Sequence, residues 1–174
     1  VLSDLGFDPL PYYRDLPGQS EEYPYLVFTG VREDPFFQTG QRNIESLRRR
    51  MPAPSLYLHT SDAEREGLVD GDWAKLSTPQ GEVVAQVDVH ETMKQGHIRV
   101  PHGWWYPELR GQASLAGAFI SSDAVLCVDS DEWLDHEQGV PHFKGFPGKV
   151  EKTDKPQQVS RTTPADWQAD QAVE

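Results

Sequence analysis

Apolar residues in this chain recur mainly at every second position, in short runs separated by Gly, Pro and Asp. Val83, Ala85, Val87 and Val89 alternate with polar neighbours, so Glu82 to His90 reads as a strand with one buried face. Trp73 to Ser77 alternates in the same way. Thr78-Pro79-Gln80-Gly81 between them is a turn, and the three pieces predict a hairpin. Tyr25 to Phe28 and Leu56 to His59 are continuous apolar runs of strand length, and Ile98 to Val100 is another. Ala124 to Val128 reads as a further buried strand, with Cys127 inside it. Helical spacing is brief. Gln41 to Arg50 carries Ile44 and Leu47 and ends in Arg48-Arg49-Arg50, a solvated helix end whose cations suit the dipole. Ser61 to Gly67 opens with a Ser61/Glu64 capping box and stops at a glycine. These elements predict a mainly β domain with short helices, a small barrel over residues 23–152. Residues 1–22 read as a Pro-rich extended arm or linker, and 153–174 as a disordered tail.

Composition narrows the chemistry. With 174 residues and 37% hydrophobic content, one core is expected. A formal charge of -12 argues against general nucleic-acid binding, which needs a basic surface, yet leaves room for one anion held by a local Arg/Lys cluster. A single Cys excludes a disulfide framework and a Cys-based zinc or iron–sulfur site within the chain. No apolar run is long enough to span a membrane. The chain opens at Val1 in loop-like sequence and reads as a processed chain or part of a longer one.

No hydrolase or transferase constellation stands out. The six His, at 59, 90, 97, 102, 136 and 142, have no recognised metal-ligand spacing. Cys127 in an apolar run reads as an inert buried thiol. The acidic stretch from Asp129 to Glu137 lacks the alternating order of a calcium loop. Two segments are richer. Thr29-Gly30 ends a strand, Arg32 follows, and Phe36-Phe37-Gln38-Thr39 leads toward Arg42. Backbone N–H groups at such a turn, with two Arg, can cradle an anion; a capped turn with exposed Arg has the same pattern. His102-Gly103-Trp104-Trp105-Tyr106-Pro107-Glu108 follows a strand. Two bulky aromatics beside a Gly suggest a shaped wall of a site.

Taken in order, several segments resemble the C-terminal molybdopterin dinucleotide-binding domain of the DMSO reductase family of molybdenum or tungsten enzymes. They are Phe7-Asp8-Pro9-Leu10-Pro11-Tyr12-Tyr13-Arg14, Phe28-Thr29-Gly30-Val31-Arg32, Arg42-Asn43-Ile44-Glu45-Ser46-Leu47-Arg48, Leu58-His59-Thr60-Ser61-Asp62-Ala63, Gly67-Leu68-Val69-Asp70-Gly71-Asp72-Trp73, Thr78-Pro79-Gln80-Gly81 and His102 to Glu108. The last looks most like the thiosulfate/polysulfide reductase and acetylene hydratase branch. The likeness implies a double-psi β-barrel (aspartate decarboxylase-like). It also implies a share in binding bis(molybdopterin guanine dinucleotide) with Mo or W, a cofactor held jointly with upstream domains absent from this chain.

By matching position, the resemblance implies cofactor contacts from Thr29, Gly30, Val31, Arg32, Phe37, Gln38, Thr39 and Arg42. It adds His102, Gly103 and Trp104 along the pterin, then Asp123 and Lys144. It assigns this chain no catalytic residue and no metal ligand, because the family's metal ligand and 4Fe-4S cysteines lie upstream in the parent chain. Implied partners are those upstream domains and an iron–sulfur electron-transfer protein, in a prokaryotic cytoplasm or periplasm. Two positions depart from the family: Gln38 stands where close relatives commonly have His, and Asp123 where they often have Asn. The ionised carboxylate of Asp123 can only accept. A double-psi barrel that binds proteins without redox activity is the alternative. A self-cleaving decarboxylase would need a Gly-Ser step, which the chain lacks.

Overall fold

The computed structural model describes residues 3–7, 10, 13, 15, 18–109, 111, 113–127, 130–136 and 138–157, apart from the side chains of Leu5 and Glu132. Most of the predicted arm, the predicted tail beyond 157, and Val128, Asp129 and Glu137 lie outside the described residues.

Six strands close a barrel: β1 (Tyr25–Val31), β2 (Ser55–Leu58), β3 (Trp73–Ser77), β4 (Glu82–Val89), β5 (His97–Pro101) and a last strand after a two-stranded hairpin. The hairpin is β6 (Leu134–Asp135) with β7 (Val140–Pro141), and the last barrel strand is β8 (Lys144–Lys152). Pairing runs β1-β5-β2-β4-β3-β8 and returns to β1. The β1/β5 and β2/β4 pairs are parallel, and the other four are antiparallel. Exchanging β1, β2 and β3 for β4, β5 and β8 leaves this order and both parallel pairs unchanged. That internal two-fold of interlocked halves is the double-psi β-barrel, and closure removes free sheet edges.

Alternation decides what fills the barrel. Val27, Leu56, Leu58, Leu76, Val83, Ala85, Ile98 and Phe146 point inward and are buried. A second apolar cluster of Phe36, Met51, Trp104, Tyr106 and Leu109 lies against the loops that follow β1 and β5. It gives those loops a floor of their own.

The structure corrects several expectations. No element is predicted over Lys144 to Lys152, where Gly145, Pro147 and Gly148 interrupt the pattern; it is the strand that closes the barrel. A Cβ at Gly148 would stand 2.4 Å from Val27 Cγ2, so glycine there permits close strand approach. The apolar run at 124 is no strand. Asp123–Leu126 is a 3-10 turn whose fully buried Leu126 packs into the core, while Leu126 O accepts from Thr78 Oγ1 at 2.9 Å. The helix expected over Gln41 to Arg50 shrinks to α1 (Glu45–Arg48). Arg48 is not solvated: it is buried against Trp104 and Tyr106 and pairs with Glu108 at 3.0 Å. In α2 (Thr60–Arg65) the cap is His59, not Ser61, since His59 Nδ1 accepts from Ser61 N–H at 3.0 Å. A third helix, α3 (Ala118–Ser121), precedes the Asp123 turn. The predicted tail starts against the barrel, with Thr153 N–H donating to Trp73 O at 2.9 Å.

Candidate functional site

Parallel pairing of β1 and β5 brings their C-terminal ends side by side, so the chain leaves the barrel twice at one place. The first exit is the loop from Gly30 to Gln41. The second is His102 to Trp105. Gly30 has φ +76° and Gly103 has φ +58°, and both backbones turn sharply through the left-handed region. Gly103 also lies against Thr39: a Cβ on Gly103 would meet Thr39 Cγ2 at 2.1 Å.

One side chain joins the two loops. Asp123 Oδ2 accepts from Gly30 N–H at 3.0 Å, and Oδ1 accepts from Gly103 N–H at 2.8 Å. His102 Nδ1 lies 3.2 Å from Oδ2. The carboxylate is only 4% exposed. An amide could accept one of these backbone N–H groups but would turn its NH2 toward the other; a carboxylate serves both. Asp123, the departure from the family pattern, therefore faces the protein and has donors on both oxygens.

Arg42 is the second tie. It is 1% exposed, with Nη1 donating to Gln38 O and Gly40 O and Nη2 donating to His102 O at 2.9 Å. Its guanidinium lies between the rings of Phe36 and Trp104, 4.6 and 4.8 Å from their centroids. Burial, then the neighbouring Arg48 charge, pulls it down to about 10. It remains a cation at neutral pH. The two Arg expected to share an anion thus divide: Arg42 holds loop carbonyls, and Arg32 is exposed.

The remaining predicted residues fall around this joint. Thr29 is buried at the end of β1, its Oγ1 and N–H both donating to Phe143 O. That contact brings Lys144, exposed at the start of β8 and opposite Phe28, to the rim. Val31 O accepts from His102 N–H at 2.8 Å. Phe37 is 70% exposed, and Gln38, at φ +50°, and Thr39 are exposed beside it. Trp104 corrects the picture of two aromatics walling a site: it is fully buried, edge-on to Phe36 and Tyr106, with Arg42 and Arg48 against its ring. Trp105 is the half-buried member, and its Nε1–H donates to Thr39 O at 2.6 Å.

Sequence reasoning missed Trp105 as a loop tie and Glu33 as a loop anchor. Tyr57 O–H donates to Glu33 Oε2 at 2.9 Å, and Arg99 stands 3.8 Å from Oε1. Burial pushes the Glu33 carboxyl above the ordinary range. The Trp pair carried a signal for the first. Nothing local to Glu33 signals its partners, which lie on β2 and β5.

The exposed residues around the joint carry positive charge and polar groups. Arg32 and Lys144 supply exposed cations, and Gln38 and Thr39 supply polar groups. The nearby carboxylates are engaged: Asp123 as above, Glu33 with Tyr57, and Asp34 with Arg50 at 2.8 Å. Among the described residues, no group of three His, Cys, Asp or Glu is placed to hold a metal ion. No described helix is long and apolar enough to cross a membrane.

Comparison with known proteins agrees with this geometry. Residues 26–147 match the family model described as "Molydopterin dinucleotide binding domain". Acetylene hydratase of Syntrophotalea acetylenica is 36% identical over 154 residues, covering 83% of this chain and 21% of the relative. A tetrathionate reductase chain of Salmonella typhimurium is 30% identical over 125 residues, 63% of this chain and 12% of that protein. The solved structure of acetylene hydratase from Pelobacter acetylenicus superposes with a TM-score of 0.77 at 35% identity, covering 87% of this chain and 22% of that one. The chain thus spans about a fifth of the length of the acetylene hydratases it matches. With its double-psi barrel and the two loops joined at Asp123, the chain belongs to the molybdopterin dinucleotide-binding domain family.

Proposed function

We propose that this chain forms one wall of a molybdopterin guanine dinucleotide site in a larger molybdenum- or tungsten-dependent oxidoreductase, whose upstream domains supply the other walls. The observation that carries the reading is the joint at Asp123, which holds Gly30 and Gly103 in one fixed relation. The metal and its dithiolene ligands would supply the redox chemistry when bound. This chain's own residues bind and orient. Arg32 and Lys144 would hold the phosphates, and Gln38 and Thr39 would offer hydrogen bonds. Phe37 would cover an apolar ring face. Arg42 and Trp104 act from beneath, keeping the two loops in register. The loops arrive preorganised, so little ordering entropy opposes binding. The barrel unit is taken as residues 23–152, flanked by the arm and tail. Exposed Leu115, Phe119 and Phe143 give the upstream domains apolar surface to cover.

The test is amide chemical-shift mapping of the 174-residue chain with GDP, which carries the guanine and phosphates of the nucleotide end. Shifts are expected from Gly30 to Thr39 and from His102 to Trp105. Shifts confined to the β6/β7 hairpin and the distant barrel wall would overturn the assignment.

A further inference from the structure

Beneath the two site loops lies a cluster whose hydrogen bonds do not close within the chain. Trp104 is fully buried, Arg42 is 1% exposed and the Glu108 side chain 6%. Trp104 Nε1–H, Arg42 Nε–H and Glu108 Oε2 are buried and have no hydrogen-bond partner. Buried polar groups in folded proteins are paired as a rule, so three exceptions in one cluster call for a common cause. The three belong to neighbours. The Arg42 guanidinium, of which Nε is part, stands 4.8 Å from the Trp104 ring centroid, and that of Arg48 stands 4.9 Å from it. Glu108 joins the same group through Arg48, which donates to Oε1 at 3.0 Å. The barrel core has no such atom among the described residues. The unpartnered atoms of Glu33 and Arg99 lie at the rim, where the Arg99 side chain is 42% exposed and open to solvent.

The chemistry of the three atoms selects what they hold. Two are donors, and the third is a carboxylate oxygen that only accepts. An anion suits the two N–H groups but is repelled by Glu108 Oε2. A cation suits Oε2 but faces two guanidiniums. A water molecule accepts two hydrogens and gives its own, which matches the set. We propose that this cluster is a binding site for internal water, which accepts from Trp104 Nε1–H and Arg42 Nε–H and donates to Glu108 Oε2. Arg42 gathers the carbonyls of Gln38, Gly40 and His102, and burial opposes its charge. A water on Nε hydrates that cation and completes its hydrogen bonds. A bridging water serves nearly as well as a direct bond, so the tie between the loops includes a solvent molecule. The inference stands on contacts within the chain and does not depend on the cofactor reading.

The experiment uses the whole chain labelled with ¹⁵N and ¹³C, with Trp104 Hε1 assigned through its ring carbons. Water-selective NOE and ROE spectra are recorded at neutral pH. The expected result is a cross-peak from water to Trp104 Hε1 with opposite signs in the two spectra, the signature of a bound water. Like signs, which report exchange of the indole hydrogen itself, overturn the proposal, and so does the lack of a cross-peak. In Tyr106→Phe, which removes a neighbouring hydroxyl as a relay, the cross-peak should survive; its loss there overturns the proposal. Replacing sodium sulfate by sodium chloride at equal ionic strength should leave Trp104 Hε1 in place, and a shift that follows chloride overturns water in favour of an anion. In Glu108→Gln the amide oxygen stays on Arg48 and NH2 replaces Oε2, so water meets three donors and no acceptor. Loss of the cross-peak, with core-strand amides unmoved, is expected; an undiminished cross-peak overturns the role given to Glu108.

Discussion

Asp123→Ala removes the acceptor shared by the two site loops, and its cost can be worked from the contacts. Gly103 N–H lies in a buried environment and loses its 2.8 Å bond. Leaving such a donor unsatisfied costs about 1–3 kcal/mol. Gly30 N–H is only part-buried at 3.0 Å from the carboxylate and can recover water, so about 1 kcal/mol is lost there. The His102 contact, at 3.2 Å with a half-exposed ring, adds little. The sum is about 2–4 kcal/mol, a large part of the stability of a small domain. Urea unfolding should show a lower midpoint with an unchanged slope. Hydrogen exchange should accelerate at Gly30 and Gly103 more than in the core strands. A loss below about 0.5 kcal/mol, the scale of an ordinary surface substitution, with both amides still protected, would refute the role given to Asp123.

Gly103→Ala must meet Thr39 Cγ2 at 2.1 Å in a left-handed backbone, so it should cost about 1–3 kcal/mol and move the two loops apart; Thr39→Gly in the same chain should recover the steric share, and full stability in the single variant would contradict the close approach. Glu33 has its carboxyl raised by burial, so just above the ordinary carboxylate value the native state holds a proton that the unfolded chain has lost. Its contribution to stability therefore falls as pH rises through that window, and Glu33→Gln should flatten this part of the stability–pH curve; an unchanged slope counts against it. Burial, then the Asp123 charge, pushes the Cys127 thiol up to about 11, so Ellman's reagent at pH 8 should react far more slowly with native chain than with chain in urea. Equal rates would deny the burial.

Much of the barrel is legible because its strands obey a local rule. Alternation at β3 and β4 and the turn between them depend on neighbours in sequence, and the structure places both where the pattern does. The failures have a common cause. β8 is punctuated by glycine and proline that look like breakers until Val27 is brought against Gly148. Leu126 is apolar because it packs into the core from a turn, and an apolar run cannot distinguish that from a strand. Arg48 reads as a solvated helix end until Glu108, 60 positions away, pairs with it.

By itself the sequence determined a β-rich barrel domain, its order of short strands, the two glycine-bearing loops and the family they resemble. These follow from periodicity and from residues whose meaning is local: a glycine that turns, an alternating face, a motif in a set order. Only the tertiary structure decided what the polar side chains of those loops do. Arg42 and Arg32 look alike along the chain, yet one is buried beneath the loops and the other is exposed. Asp123 looks, along the chain, like a charge opposed to an anionic ligand; in the fold it is the acceptor that joins both loops. The physical reason is that a charge or a hydrogen-bonding group takes its role from what surrounds it in space. At this site its partners lie up to 114 residues away in sequence, as Phe143 does from Thr29.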